Sequence, residues 1–111
     1  MSLADDNLEI DAETLRELRD SGDDIQFIDI RDDWEREICS LSGTIDIPMA
    51  RLPNELDRLS TDTPVVVLCH HGMRSMQAAA WLRQQGFAGA VSVSGGIDAW
   101  ARQIDPTLAL Y

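Results

Sequence analysis

The chain has 111 residues, enough to bury one hydrophobic core but too short for two. Its formal net charge of −11 at pH 7 leaves no basic face for nucleic acid or an anionic membrane surface. All nine basic residues are arginine, and the absence of lysine excludes Schiff-base chemistry and a phosphate-loop lysine.

No apolar run approaches the length of a membrane helix and no basic-then-apolar leader opens the chain, so the expectation is a soluble, cytoplasmic protein. Two cysteines are too few for a disulfide framework, which points to a reducing compartment. Residues 1–7 are polar and predicted to be loose. Leu8-Glu9-Ile10 reads as a short strand, and Asp11 caps a predicted helix over Ala12 to Arg19 that stops near Ser21-Gly22. Ile25 to Ile30 reads as a mostly buried strand. Asp32 to Ile38 reads as a short helix with acids at its positive end.

Cys39 to Gly43 is a predicted loop, Thr44 to Ile47 a strand closed by Pro48, and Leu52 to Leu59 a helix with Pro53 in its first turn. The β-branched run from Pro64 to Leu68 predicts a strand buried on both faces, and the alanine-rich stretch from Ser75 to Gln85 a helix packed on it, with Gly86 as its stop. Val91 to Val93 is a last short strand, Gly95-Gly96 a tight turn, and Ile97 to Arg102 a final helix. Strands that alternate with helices point to an α/β fold, a parallel sheet covered on both sides.

Reactive groups in such sheets gather beyond the carboxyl ends of strands, and Cys69 stands where the valine strand should end. A strand end, a short loop and a helix start aim backbone N–H groups at one point, which favours an anion such as a thiolate. An ordinary cysteine titrates near about 8.5, and helix N-termini or neighbouring Arg and His lower that to roughly 3.5 to 7.5, so a nucleophile here needs no separate base. Gly72 lets the loop turn with its amides inward, and the Arg74 fork suits an oxyanion. From Thr63 to Ile97 there is no Asp or Glu, so this stretch is locally neutral to positive within an acidic protein.

Plainer readings stand beside these. A cysteine that closes a valine run is also a good buried small hydrophobe. Arg74 can bond carbonyls of its own loop, Arg31 can form a surface ion pair with Glu35, and Asp29 suits a structural acceptor for loop amides. His70 and His71 read as solvent-facing loop residues. A metal site joining them to Cys69 is not expected, because adjacent side chains diverge and no further ligand cluster is evident. Trp34, Trp81 and Trp100 read as core and sheet-edge packing, and Cys39 as a second, non-catalytic thiol with a Cys39–Cys69 disulfide as the alternative.

The segment Cys69-His70-His71-Gly72-Met73-Arg74-Ser75 resembles the active-site loop of rhodanese domains, in which a cysteine, four residues and an arginine make a six-residue cradle. The resemblance extends to Phe27-Ile28-Asp29-Ile30-Arg31 with Glu35, to Gly43 through Pro48, to Leu82 through Phe87, and to Val93 through Trp100, in the family's order. It implies one rhodanese-like domain over residues 1–111: a three-layer fold with a central, mostly parallel sheet of about five strands and helices on both faces. It further implies that Cys69 takes a sulfane sulfur from thiosulfate or a similar small anionic donor, becomes a persulfide, and passes the sulfur on. Cyanide is the acceptor in the assay, and a thiol or a partner protein in the cell.

In that reading His70, His71, Gly72, Met73, Arg74 and Ser75 form the substrate cradle, Arg31 matches an arginine that can reach the substrate, and no metal or organic cofactor takes part. Where many members carry Gly-His before the block that ends in Pro48, this chain has Cys39-Ser40. Two alternatives remain open: a persulfide carrier or interaction module for a partner protein, and a cysteine phosphatase. Phosphatase loops place five residues between cysteine and arginine rather than four.

Overall fold

Val65, Val66, Val67 and Leu68 form β4, and all four are buried because an inner strand of a covered sheet has no solvent face. The computed structural model describes residues 7–111, so the predicted loose segment lies outside the described residues except for Asn7. The Asn7 carbonyl accepts a bond from Arg83 Nη2 at 2.8 Å.

Along the described chain run β1 (Glu9–Ile10), α1 (Ala12–Asp20), β2 (Gln26–Asp29), α2 (Asp33–Ile38), β3 (Ile45–Asp46), 3-10 turns over Met49–Asn54 and Leu56–Arg58, β4 (Val65–Leu68), α3 (Met73–Gln84), β5 (Val91–Val93) and α4 (Gly96–Gln103). Among the described residues the sheet has five strands in the order β1-β5-β4-β2-β3, and every pairing is parallel.

Side chains alternate across the pleat, so the sheet divides the core in two. One half holds Ile28, Ile30, Val65, Val67 and Cys69 with Ala78, Ala79 and Leu82 of α3. The other holds Phe27, Val66, Leu68, Val91 and Val93 with Leu15 and Leu18 of α1, Ile97 and Trp100 of α4, and Cys39. The two cysteines therefore sit in clusters on opposite faces, and both are free thiols. That arrangement corrects the alternative of a Cys39–Cys69 disulfide, because a sheet separates the two side chains.

The expected helix over residues 52–59 is instead the pair of 3-10 turns, with Pro53 inside the first. Proline has no N–H to donate and its ring crowds the preceding turn, so a continuous α-helix is disfavoured there. α3 starts two residues before the expected Ser75, because Gly72 at φ +101° turns the chain directly into the helix. Trp100 is buried and Trp81 packs partly against the core, but Trp34 is 58% exposed. On α2 the inward position belongs to its neighbour Glu35, which is buried.

Candidate active site

The sheet order makes β2, β4 and β5 adjacent, so the loops that leave their carboxyl ends meet. Cys69 directly follows β4 and is 1% exposed. Its Sγ accepts from the Gly72 amide at 3.1 Å and the Ser75 amide at 3.3 Å, and lies 3.2 Å from Ser75 Oγ. Ser75 Oγ is in turn 2.6 Å from Ser92 Oγ on β5, and both serines are fully buried. Amide donors aimed at sulfur in a dry setting stabilise charge there more than they do in water.

The loop is stitched to α4 from behind. The Ile97 amide donates to the Cys69 carbonyl at 2.9 Å, and the Asp98 amide to the His70 carbonyl at 3.1 Å. Gly96 sits at φ +61° with so little room that an added Cβ would fall 2.3 Å from the His70 oxygen and 2.5 Å from the Cys69 oxygen.

Arg74 bonds neither its own loop nor solvent alone. Its Nη1 and Nη2 donate to Glu35 Oε2 and Oε1 at 2.8 and 2.7 Å, a bidentate pair with a buried carboxylate. Glu35 also accepts from the Asp32 amide at 2.9 Å, as the return arm of a capping box, and from the Tyr111 hydroxyl at 2.9 Å. The Arg74 bond, more than any other contact, lowers the Glu35 pKa from 4.5 to about 2, and raises that of Arg74.

A pH dependence follows with a definite sign. Because the folded pKa lies below the ordinary one, the stability this carboxylate contributes is complete above about pH 4.5 and is lost as pH falls through 4.5 toward 2. The contribution is roughly 3 kcal/mol at most. Urea unfolding of the wild type and Glu35→Gln from pH 7 to 3 is expected to give a steeper acid loss for the wild type, and parallel curves would count against the pair.

Arg31 does not form the expected surface pair with Glu35. It is wholly buried, and its Nε and Nη2 donate to Asp29 at 3.0 and 2.8 Å. Its remaining N–H groups go to the Cys39 carbonyl, the Glu35 carbonyl and the Tyr111 hydroxyl, so all five donors of the guanidinium are used inside the protein. A charged group that far from water persists only when it is fully paired. Asp29 is the structural acceptor expected, and also takes the Arg31 amide at 3.0 Å.

Tyr111 is the residue that sequence reasoning missed. Its hydroxyl joins Arg31 to Glu35, its ring stacks on His70 at 3.7 Å and 3°, and Trp34 meets it edge-on at 6.1 Å. Burial pushes its pKa up to about 12. His70 is half-buried, with its pKa lowered chiefly by desolvation, while His71 is exposed. The two rings do not diverge as expected. They lie 3.8 Å apart at 30°. Met73 is 77% exposed at the start of α3.

The Rhodanese-like domain family model matches residues 11–103. The chain belongs to the rhodanese-like family. It is 36% identical over 101 residues to a sulfurtransferase of Allochromatium vinosum, covering 91% of this chain and 94% of that protein. It is 36% identical over 88 residues to the thiosulfate sulfurtransferase GlpE of Pseudomonas aeruginosa, covering 79% of this chain and 78% of that one. A solved rhodanese-related protein from Thermoplasma volcanium superimposes with a TM-score of 0.79 at 31% identity, covering 93% and 98% of the two chains. Longer curated relatives match only in part, and this rhodanese-like chain spans 26% to 31% of the length of the first of them. No helix among the described residues is long and apolar enough to cross a membrane.

Proposed function

We propose that this rhodanese-like domain is a sulfurtransferase that moves a sulfane sulfur from thiosulfate, or a similar small anionic donor, to a thiophilic acceptor through a persulfide on Cys69. The observation that carries the reading is the setting of the sulfur, at a strand end with the Gly72 and Ser75 amides directed at it. The names of the Allochromatium and Pseudomonas relatives agree with it.

In the first half-reaction the Cys69 thiolate attacks the outer sulfur of thiosulfate. A Cys69 S–S bond forms, the donor's S–S bond breaks, and sulfite leaves with the electron pair. In the second, cyanide or a thiolate attacks the terminal sulfur, and Cys69 departs as thiolate while thiocyanate or a new persulfide forms. Charge stays on sulfur throughout, so amides that need no reorganisation serve both steps. In this reading the backbone from His70 to Ser75 cradles the anion and Arg74, pinned by Glu35, holds the loop in shape.

The test is the intact mass of the protein after thiosulfate, then after cyanide, with Cys69→Ser alongside. The wild type is expected to gain one sulfur and lose it with thiocyanate released, whereas the variant does neither. Loading of the variant would assign the sulfur to another residue.

A second reading, a persulfide carrier serving a partner protein, is favoured by one feature. Glu35 neutralises Arg74 and Asp29 neutralises Arg31, so the loop keeps little uncompensated positive charge for a free dianion, while exposed Trp34 and Met73 offer apolar contact. Fast turnover on thiosulfate alone argues against it. Loading from a protein persulfide, but not from thiosulfate, argues for it.

A further inference from the structure

We infer that His70, His71 and Asp98 form a binding site for a borderline divalent cation of the Zn2+ class beside the cysteine loop. One imidazole nitrogen of each histidine and a carboxylate oxygen of Asp98 lie within 4.8 Å of one another. No position of the chain brings these three together by sequence alone. The Asp98 amide bonded to the His70 carbonyl at 3.1 Å, and the Ile97 amide bonded to the Cys69 carbonyl at 2.9 Å, hold the first turn of α4 against the loop.

The donor set selects the metal. Two imidazoles and one carboxylate suit Zn2+, Ni2+ or Cu2+, whereas Mg2+ and Ca2+ take oxygen ligands. His70 is fixed by the stacked Tyr111 ring, and among the described residues its buried Nε2 has no hydrogen-bond partner. A buried unpaired nitrogen calls for a water or an ion to satisfy it. Asp98 Oδ2 accepts from Arg102 Nε at 2.9 Å, a contact that orients the carboxylate and leaves Oδ1 over.

Ligands about 2.0 to 2.1 Å from a tetrahedral Zn2+ stand roughly 3.3 to 3.5 Å apart, so ligand atoms that lie within 4.8 Å of one another need close by no more than about 1.5 Å. His71, the exposed member, has the freedom to supply that movement. The chain's net charge of −11 raises the local concentration of cations. With three protein ligands the ion keeps open positions, as an exchanging site does and a closed structural site does not.

The experiment is calorimetric titration of ZnCl2 into tag-free Cys69→Ser protein, which removes the loop thiol as a competing ligand. Saturation near one Zn2+ per chain in the micromolar range is expected, weakened roughly tenfold or more by Asp98→Asn and by His71→Gln, each checked for an unchanged far-UV spectrum. Absence of binding in Cys69→Ser, or binding that survives both substitutions, overturns the assignment. None of these readouts depends on sulfur transfer.

Discussion

Gly96→Ala is expected to lose about 3 to 4 kcal/mol of stability and to distort the cysteine loop. A side chain at φ +61° costs about 1 to 2 kcal/mol in itself. The larger effect is steric, because the new Cβ would stand 2.3 and 2.5 Å from the His70 and Cys69 oxygens, which are backbone atoms with no rotamer to change. Relief requires α4 to move off the loop, which breaks the Ile97 and Asp98 amide bonds to those same oxygens, each worth about 1 kcal/mol. The sum is a large share of the 5 to 15 kcal/mol typical of a domain. Equilibrium urea unfolding measures it. Sulfur loading by the folded fraction should fall as well, since the displaced carbonyls belong to Cys69 and its neighbour. A loss below about 1 kcal/mol would mean that the loop and α4 are not packed as described.

Arg31→Met is expected to cost about 3 to 5 kcal/mol, because it strands the fully buried Asp29 carboxylate without its partner and removes the donor to the Cys39 carbonyl and the Tyr111 hydroxyl. Combining it with Asp29→Leu should recover part of the loss, since replacing both members of a buried pair with apolar groups is far milder than removing one. Unfolding of the single and double variants gives the coupling directly. The measurement also separates the two roles considered for Arg31. A variant that stays as stable as the wild type but binds thiosulfate poorly would return this arginine to the substrate and contradict its burial.

The strand-loop-helix unit from Pro64 to Gln85, the parallel α/β arrangement and the place of Cys69 were legible in the amino-acid sequence, because each is carried by neighbours in the chain. A valine run that becomes an inner strand has both faces covered, and a glycine at the turn sets where the next helix starts. Even the wrong detail at residues 52–59 had a local cause, Pro53 inside the turn. Partners were another matter. Nearness in the chain pairs Arg31 with Glu35 four residues ahead, but the buried Arg31 bonds Asp29 at the end of β2, and Glu35 bonds Arg74, 39 residues away. Tyr111 reaches Glu35 across 76 residues, and Asp98 joins the two histidines only because β5 lies beside β4. Periodicity says which face of an element is buried, not which other element covers it. The strand order β1-β5-β4-β2-β3 decides that, by setting the loops after β2, β4 and β5 side by side.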